Sequence, residues 1–148
     1  MCSLPSFKKI TLVTSGMDLS PEIVPLEESI LKRLRTPYLP EIKKELPSTF
    51  NKTKDILCLL DERGEQYSTE ELAVWFEKKF LSPQRLIFVI GPSQGHNKEI
   101  RTQAHISLSL SKLTFPHQWV RPLFLEQLYR LQCLQQGHPY HSKNSSPL

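Results

Sequence analysis

The residues best suited to chemistry lie in the last quarter of the chain. Arg130 follows Glu126 at a spacing of four, which on a helix allows an ion pair or leaves the guanidinium to bind an anionic or carbonyl-bearing partner. Gly137 and Pro139 then predict the end of the helix, so residues 138–141 (HPYH) form a short extended tail. A solvated terminus is the usual meaning of such a tail. Its tyrosine, however, can stack on a nucleic-acid base, and its imidazoles can exchange protons.

Three predicted strands end in loops that together could form a pocket. The apolar runs at 55–60 and 85–90 and the alternating run at 107–113 are typical of strands. Ligands of open α/β sheets bind at the carboxyl ends of the strands, so the loops after Leu60, Ile90 and Leu113 predict a ligand site. The loop GPSQG at 91–95 lacks the glycines and the lysine of a phosphate loop. A dinucleotide-binding fold and a nucleotide hydrolase are therefore disfavoured.

The pattern of strands, loops and helices predicts an α/β fold with a mostly parallel sheet. Further strands are predicted at 9–14 and, as a short edge strand, within 38–46. A turn is predicted at 61–64, after the strand at 55–60. The predicted helices cover residues 22–35, 68–80 (capped by Ser68 and Glu71), 97–105 and 119–136.

Composition limits the class of protein. With 148 residues and 39% hydrophobic content, residues 1–143 are expected to form a single domain, and 144–148 a disordered end. No apolar run has the roughly 20 residues of a membrane span, and the first residues do not resemble a signal peptide. We therefore expect a cytoplasmic protein without a membrane partner. The net charge of +4 permits an anionic partner such as nucleic acid.

Cysteine and histidine spacing argues against a disulfide framework or a metal site. The three cysteines are few and widely spaced, and Cys58 lies in an apolar run typical of a buried small hydrophobe. The zinc-ligand residue types His117, Cys133, His138 and His141 lack the paired spacing of zinc motifs. A serine hydrolase is also disfavoured, because there is no GxSxG motif.

Three motifs together resemble one family. FVIGPSQG, SLSLSKLTFPHQWVRPLFLEQLYR and GHPYH resemble the RlmH family, small SPOUT-class methyltransferases of bacteria that modify large-subunit ribosomal RNA. The resemblance is close over 85–141 and fainter around LVTSG and LLDERG. It implies an α/β fold with a C-terminal trefoil knot that binds S-adenosylmethionine. It also implies a homodimer in which the tail of one subunit completes the active site of the other.

The same resemblance implies a substrate and a set of site residues. The substrate would be a pseudouridine of large-subunit RNA in the assembled ribosome, methylated at N3, and no metal is implied. Arg130, Tyr140 and His141 would face the target base, with His141 as proton acceptor and Arg130 stabilising negative charge on the base carbonyls. The implied cofactor-binding residues are Leu60, Gly91, Leu110, Ser111, Lys112, Leu113, Thr114 and Phe115.

The chain departs from the family pattern at four places. Pro92 stands where the family usually has a second glycine, and Ser142 precedes Lys143 where a basic residue usually follows the last histidine directly. The segment 38–54 is shorter than usual, and 144–148 extends past the usual end. The alternative hypothesis is therefore a ribosome- or RNA-binding protein that keeps the fold and has lost catalytic turnover.

Overall fold

Strands and helices alternate along the chain as the sequence predicts. The computed structural model describes residues 9–92 and 95–140, and the predicted disordered end at 144–148 lies outside them. The elements are β1 (Ile10–Val13), α1 (Val24–Arg33), β2 (Glu41–Lys43), β3 (Asp55–Gln66), α2 (Thr69–Phe80), β4 (Arg85–Ile90), α3 (Lys98–Gln103), β5 (Ile106–Ser109) and α4 (His117–Gln136).

The strands form one sheet in the order β2-β1-β4-β3-β5. Every pair of neighbouring strands in this sheet is parallel, which confirms the predicted α/β fold. The predicted edge strand is β2, at one border of the sheet. The trefoil knot stays a prediction. Because all strands run the same way, their carboxyl ends meet at one edge of the sheet, and the loops that follow them are neighbours.

Both faces of the sheet are buried, which explains why its strands read as continuous apolar runs. On one face, α1, α2 and α4 cover a large core in which Phe88 of β4 stacks on Phe76 of α2, with ring centroids 5.6 Å apart. Phe124 of α4 also packs against the ring of Phe88, with ring centroids 4.8 Å apart. On the other face, α3 contributes Ile100 to a smaller cluster. Cys58 is buried, as predicted, and burial raises the pKa of its thiol to about 12.

The residues predicted to begin helix α2 and to end helix α4 do so in the structure. Ser68 accepts a hydrogen bond from the backbone N–H of Glu71, whose carboxylate accepts one from the N–H of Ser68, both at 3.0 Å, so the capping box is confirmed. Gly137 ends α4 in the left-handed conformation at φ 72°. Helix α1 begins at Val24, later than predicted, and this leaves Pro25 in the first turn, where its missing N–H costs no hydrogen bond.

The predicted turn at 61–64 is wrong, because β3 continues to Gln66. Leu60 and Glu65 both pair with Leu108 of β5, so the residues between them form an irregular segment within the strand. A Cβ on Gly64 would lie 2.6 Å from the backbone carbon of Ser107. Glycine at this position therefore lets the two backbones approach and the pairing resume.

The predicted strand at 107–113 is shorter than expected, since β5 ends at Ser109. The Ser109 hydroxyl donates to the carbonyl of Ser111 at 2.8 Å, and the Ser111 hydroxyl accepts the N–H of Leu113 at 3.0 Å. Such local side-chain bonds compete with strand pairing and turn the chain away. Residues 110–115 are consequently a loop outside any helix or strand.

Among the described helices, none combines the length and the apolar character that a membrane span requires.

Replacement of Gly64 by alanine tests the close approach of β3 and β5. We expect Gly64→Ala to lower the free energy of unfolding by about 1–3 kcal/mol, because the new methyl group overlaps rigid backbone atoms. Glu62→Ala, an exposed side chain in the same segment, is the matched control and is expected to change it by less than about 0.5 kcal/mol. Urea unfolding followed by circular dichroism measures both. Equal stability of the two variants would contradict the account of this segment.

Candidate active site

A cleft of about 310 Å³ opens at the carboxyl ends of β3, β4 and β5. This volume is at the lower end of the range of small-molecule sites. The cleft lies where the strand ends predict a pocket. Its walls consist of the strand ends, the loops that follow them, Arg101 of α3 and the first turn of α4. The lining residues are Leu60, Asp61, Glu62, Arg63, Ile90, Gly91, Pro92, Gly95, His96, Arg101, Leu108, Leu110, Ser111, Leu113, Phe115, His117 and Val120.

Most of the residues predicted to bind a cofactor lie around this cleft. Leu60 and Gly91 stand at the ends of β3 and β4, and the loop 110–115 contributes four further side chains. Lys112 and Thr114 belong to the same loop and are exposed, but they are not among the lining residues. The role of the set in cofactor binding stays a prediction.

His96 is a cleft residue that the sequence did not predict. Its ring Nε2 lies 2.9 Å from the carbonyl oxygen of Leu60. A Cβ on Gly91 would lie 2.9 Å from the same imidazole, so the glycine makes room for the histidine. A single histidine after a glycine-containing loop carries no sequence signal of its own. Gly91 was the available signal, since a glycine allows close approach to whatever lies against it.

Asp61 fixes a negative charge at the edge of the cleft. Its carboxylate accepts the N–H of Arg63 at 3.0 Å and pairs with the Arg101 guanidinium at 2.9 Å, and Arg101 also donates to the carbonyl of His96. Burial raises the pKa of Asp61, but the bonds from Arg63 and Arg101 outweigh it, and the pKa is lowered from its ordinary value. Asp61 lies in the segment after Leu60 that was predicted to border a pocket, but no sequence signal indicated its pairing with Arg101, 40 positions later.

Arg130 and Tyr140 meet at a shared carboxylate near the end of α4. The predicted ion pair is confirmed, with Arg130 Nε 2.7 Å from Glu126 Oε1. The Tyr140 hydroxyl donates to the same oxygen at 2.9 Å, and the Arg130 guanidinium lies 5.2 Å from the centre of the Tyr140 ring. Burial, followed by the bond to Glu126, raises the pKa of Tyr140. At neutral pH the phenol is therefore a hydrogen-bond donor and a stacking surface.

The groups at the two ends of α4 are separate within one chain. Val120 lines the cleft and Arg130 follows ten positions later, a distance of about 15 Å along a helix axis. Neither Arg130 nor Tyr140 is among the cleft-lining residues. His141, the third residue predicted to face the base, lies outside the described residues. Within the described part of one chain, Arg130 and Tyr140 are therefore not brought to the predicted cofactor residues.

Potential metal ligands are dispersed in the part of the chain that the structure describes. No group of three or more histidine, cysteine, aspartate or glutamate side chains there could hold a metal ion. His117 stands at the first turn of α4, whereas the buried Cys133 lies near its other end.

The chain belongs to the SPOUT methyltransferase family: residues 21–141 match the family described as predicted SPOUT methyltransferase. Its relatives confirm the resemblance seen in the sequence. Ribosomal RNA large subunit methyltransferase H of Bacteroides fragilis is 37% identical over 121 residues, which cover 81% of this chain and 76% of that protein. The protein of the same name from Acetivibrio thermocellus is 45% identical over 102 residues, covering 67% and 64%. That of Koribacter versatilis is 46% identical over 91 residues, covering 61% and 62%.

Proposed function

We propose that the chain is an S-adenosylmethionine-dependent methyltransferase that methylates N3 of a pseudouridine in large-subunit ribosomal RNA within the assembled ribosome. The names of its relatives, which describe methylation of that RNA, support the class of substrate. The observation that carries the proposal is the cleft formed by Leu60, Gly91 and the loop 110–115. These are the positions that the family resemblance predicts for the cofactor.

The chemistry of the cleft suits this cofactor. Leu60, Ile90 and Leu110 supply apolar surface for an adenine ring, and Gly91 lets backbone approach a ligand closely. The loop 110–115 lies outside any helix or strand, so its backbone groups are not committed to a hydrogen-bond ladder. When bound, S-adenosylmethionine supplies an electrophilic methyl group on a positively charged sulfur. The protein's part is to align the acceptor and exclude water.

Arg130, Tyr140 and His141 would act on the acceptor base. N3 must lose its proton before or during transfer, and His141 is our candidate acceptor. Arg130 would stabilise negative charge on the neighbouring base carbonyls. Tyr140 would stack on the base or donate a hydrogen bond, while Glu126 holds Arg130 and Tyr140 together.

A homodimer would bring the separated groups together. Within one chain, Arg130 lies about 15 Å along α4 from the cleft-lining Val120. Leu113, Phe115 and Trp119 are large apolar side chains, 69%, 39% and 50% exposed, beside the cleft and the start of α4. A second copy covering this surface would remove it from water and could place its own tail at the cleft. In this proposal residues 1–143 act as a single domain.

Cofactor binding and the identity of the product test the proposed function together. The purified protein is expected to bind S-adenosylmethionine in calorimetry, with or without ribosomes. It should also transfer one methyl group to ribosomes that lack the modification, and mass spectrometry should find it on one pseudouridine. Gly91→Val places a branched side chain in the cleft and is expected to weaken cofactor binding by more than about tenfold. Gly91→Ala is the matched smaller change, since the atoms nearest to its methyl group belong to the movable ring of His96.

Three results would count against this proposal. Cofactor binding without transfer of a methyl group to ribosomes that lack the modification would contradict the proposed substrate. Binding of ribosomes without binding of the cofactor would favour a degenerate RNA-binding protein. Full cofactor affinity in a folded Gly91→Val variant would move the cofactor site elsewhere.

The roles of Arg130 and His141 predict a loss of rate rather than of affinity. We expect His141→Ala and Arg130→Ala each to lower kcat for methyl transfer to ribosomes by roughly 100-fold, because each removes a group needed in the transition state. Arg130→Lys keeps the charge and is expected to retain more activity than Arg130→Ala. Full methylation by His141→Ala at saturating ribosomes would show that His141 is not the proton acceptor. A rise in KM alone for Arg130→Ala would make Arg130 a binding residue.

A further inference from the structure

Two guanidinium groups and two tyrosine rings contact one another between the end of α1 and the end of α4, in the order Arg33, Tyr129, Tyr140 and Arg130. The Arg33 guanidinium lies 5.9 Å from the centre of the Tyr129 ring. The Tyr129 ring meets the Tyr140 ring edge to face at 4.7 Å, and the Arg130 guanidinium lies 5.2 Å from Tyr140. We call these four residues the cation–aromatic strip. Arg33 and Tyr129 are not among the residues predicted from the sequence to form the site.

Three of the four residues of the strip lie on two docked helices, Arg33 on α1 and Tyr129 and Arg130 on α4, and Tyr140 follows the end of α4. Gln132 of α4 is buried and accepts the N–H of Arg35 at 2.6 Å, and its amide donates to the carbonyl of Arg33 at 2.9 Å. These bonds fix the end of α1 against α4. The positions of Arg33 and Tyr129 relative to each other are therefore set by the core.

The charge of this surface is positive. Lys32, Arg33 and Arg35 are exposed at the end of α1, and none of the three belongs to an ion pair among the described residues. The nearby carboxylate of Glu126 already accepts bonds from Arg130 and Tyr140. Basic residues often stabilise the last turn of a helix through its dipole. The dipole accounts for Lys32 and Arg33, and Arg35 Nη1 donates to the carbonyls of Lys32 and Leu34 at the helix end. Neither role accounts for the contact of Arg33 with a tyrosine ring.

We propose that the cation–aromatic strip, with Lys32 and Arg35 at its border, binds nucleotides of ribosomal RNA that flank the methylated base. The inference rests on the proposed function and adds to it a docking surface for the substrate. Tyrosine rings stack on unpaired bases of any sequence, and arginine binds phosphate through paired N–H groups. The strip continues from Arg130 and Tyr140, the residues proposed to face the target base, toward Arg33 on the other helix. Flanking nucleotides would follow the same direction.

Single substitutions in the strip test this surface against a matched control. Arg33→Ala is expected to weaken binding to ribosomes in filter-binding assays, and to raise KM for ribosomes, by roughly threefold to tenfold. It should also reduce the salt dependence of binding by about one unit of slope. The kcat at saturating ribosomes and the affinity for S-adenosylmethionine should stay unchanged. Lys79→Ala removes another cation over an aromatic ring, 5.6 Å from the centre of Trp75 on α2, and is expected to change neither affinity nor KM.

The tyrosine is tested by comparing two replacements. Tyr129→Phe keeps the ring and is expected to bind ribosomes nearly as the wild type does, whereas Tyr129→Leu loses the stacking surface and binds more weakly. If Tyr129→Leu does not fold, the exposed Arg33 still provides the decisive variant.

Two outcomes would overturn the proposal. One is an equal ribosome affinity and KM for Arg33→Ala and Lys79→Ala. The other is a smaller fraction of dimer for Arg33→Ala in sedimentation velocity, while the dimer that remains binds ribosomes with unchanged affinity. That result would make the strip a contact between subunits. A wild-type protein that transfers no methyl group to ribosomes would refute the proposed function alone. The filter-binding comparison would still decide the role of the strip.

Discussion

The packing of α4 across the sheet sets how far Arg130 lies from the cleft. Phe124 and Leu128 are fully buried against the sheet, and burial of such side chains stabilises the fold by about 1.5–3 kcal/mol each. A buried ion pair between Arg121 of α4 and Glu27 of α1, together with the bonds of Gln132 to the end of α1, opposes rotation or sliding of the helix. Once α4 is fixed, its first turn belongs to the cleft and its last turns cannot reach it.

Because α4 is fixed in this position, its two ends belong to different surfaces of the chain. The first turn closes the cleft beside the loop 110–115 and is suited to holding a small molecule. The last turns hold Arg130 and Tyr140 on one carboxylate and lead to the cation–aromatic strip, a surface suited to RNA. A reaction between a small methyl donor and a nucleotide needs both surfaces at one point. A rigid helix of 20 residues can meet this need only with a second chain, which is why we propose a shared site.

Most helices and strands could be predicted from local signals in the sequence. Contacts between residues far apart in the chain could not be predicted. Ser68 and Gly137 specify a helix start and a helix end through bonds within a few residues, so their roles could be predicted from the sequence. Gly64 acts through the backbone of β5, more than 40 positions away, and neither its environment nor the length of β3 was predictable. The same limit applies to the candidate site. The strand ends and the family motifs predicted its location, but His96 and Asp61 enter it through contacts that only the folded chain defines.

The measurement that tests the shared site most directly uses mixed dimers. Gly91→Val subunits, with a blocked cleft, and Arg130→Ala subunits, without the guanidinium, are coexpressed with different tags. Methyl transfer to ribosomes is assayed at a cofactor concentration that saturates the wild-type cleft but not the Gly91→Val cleft. A mixed dimer retains one intact site, so random mixing is expected to restore about a quarter of wild-type activity, although each variant alone is nearly inactive. Purified mixed dimers no more active than the two separate variants would contradict a site shared between subunits.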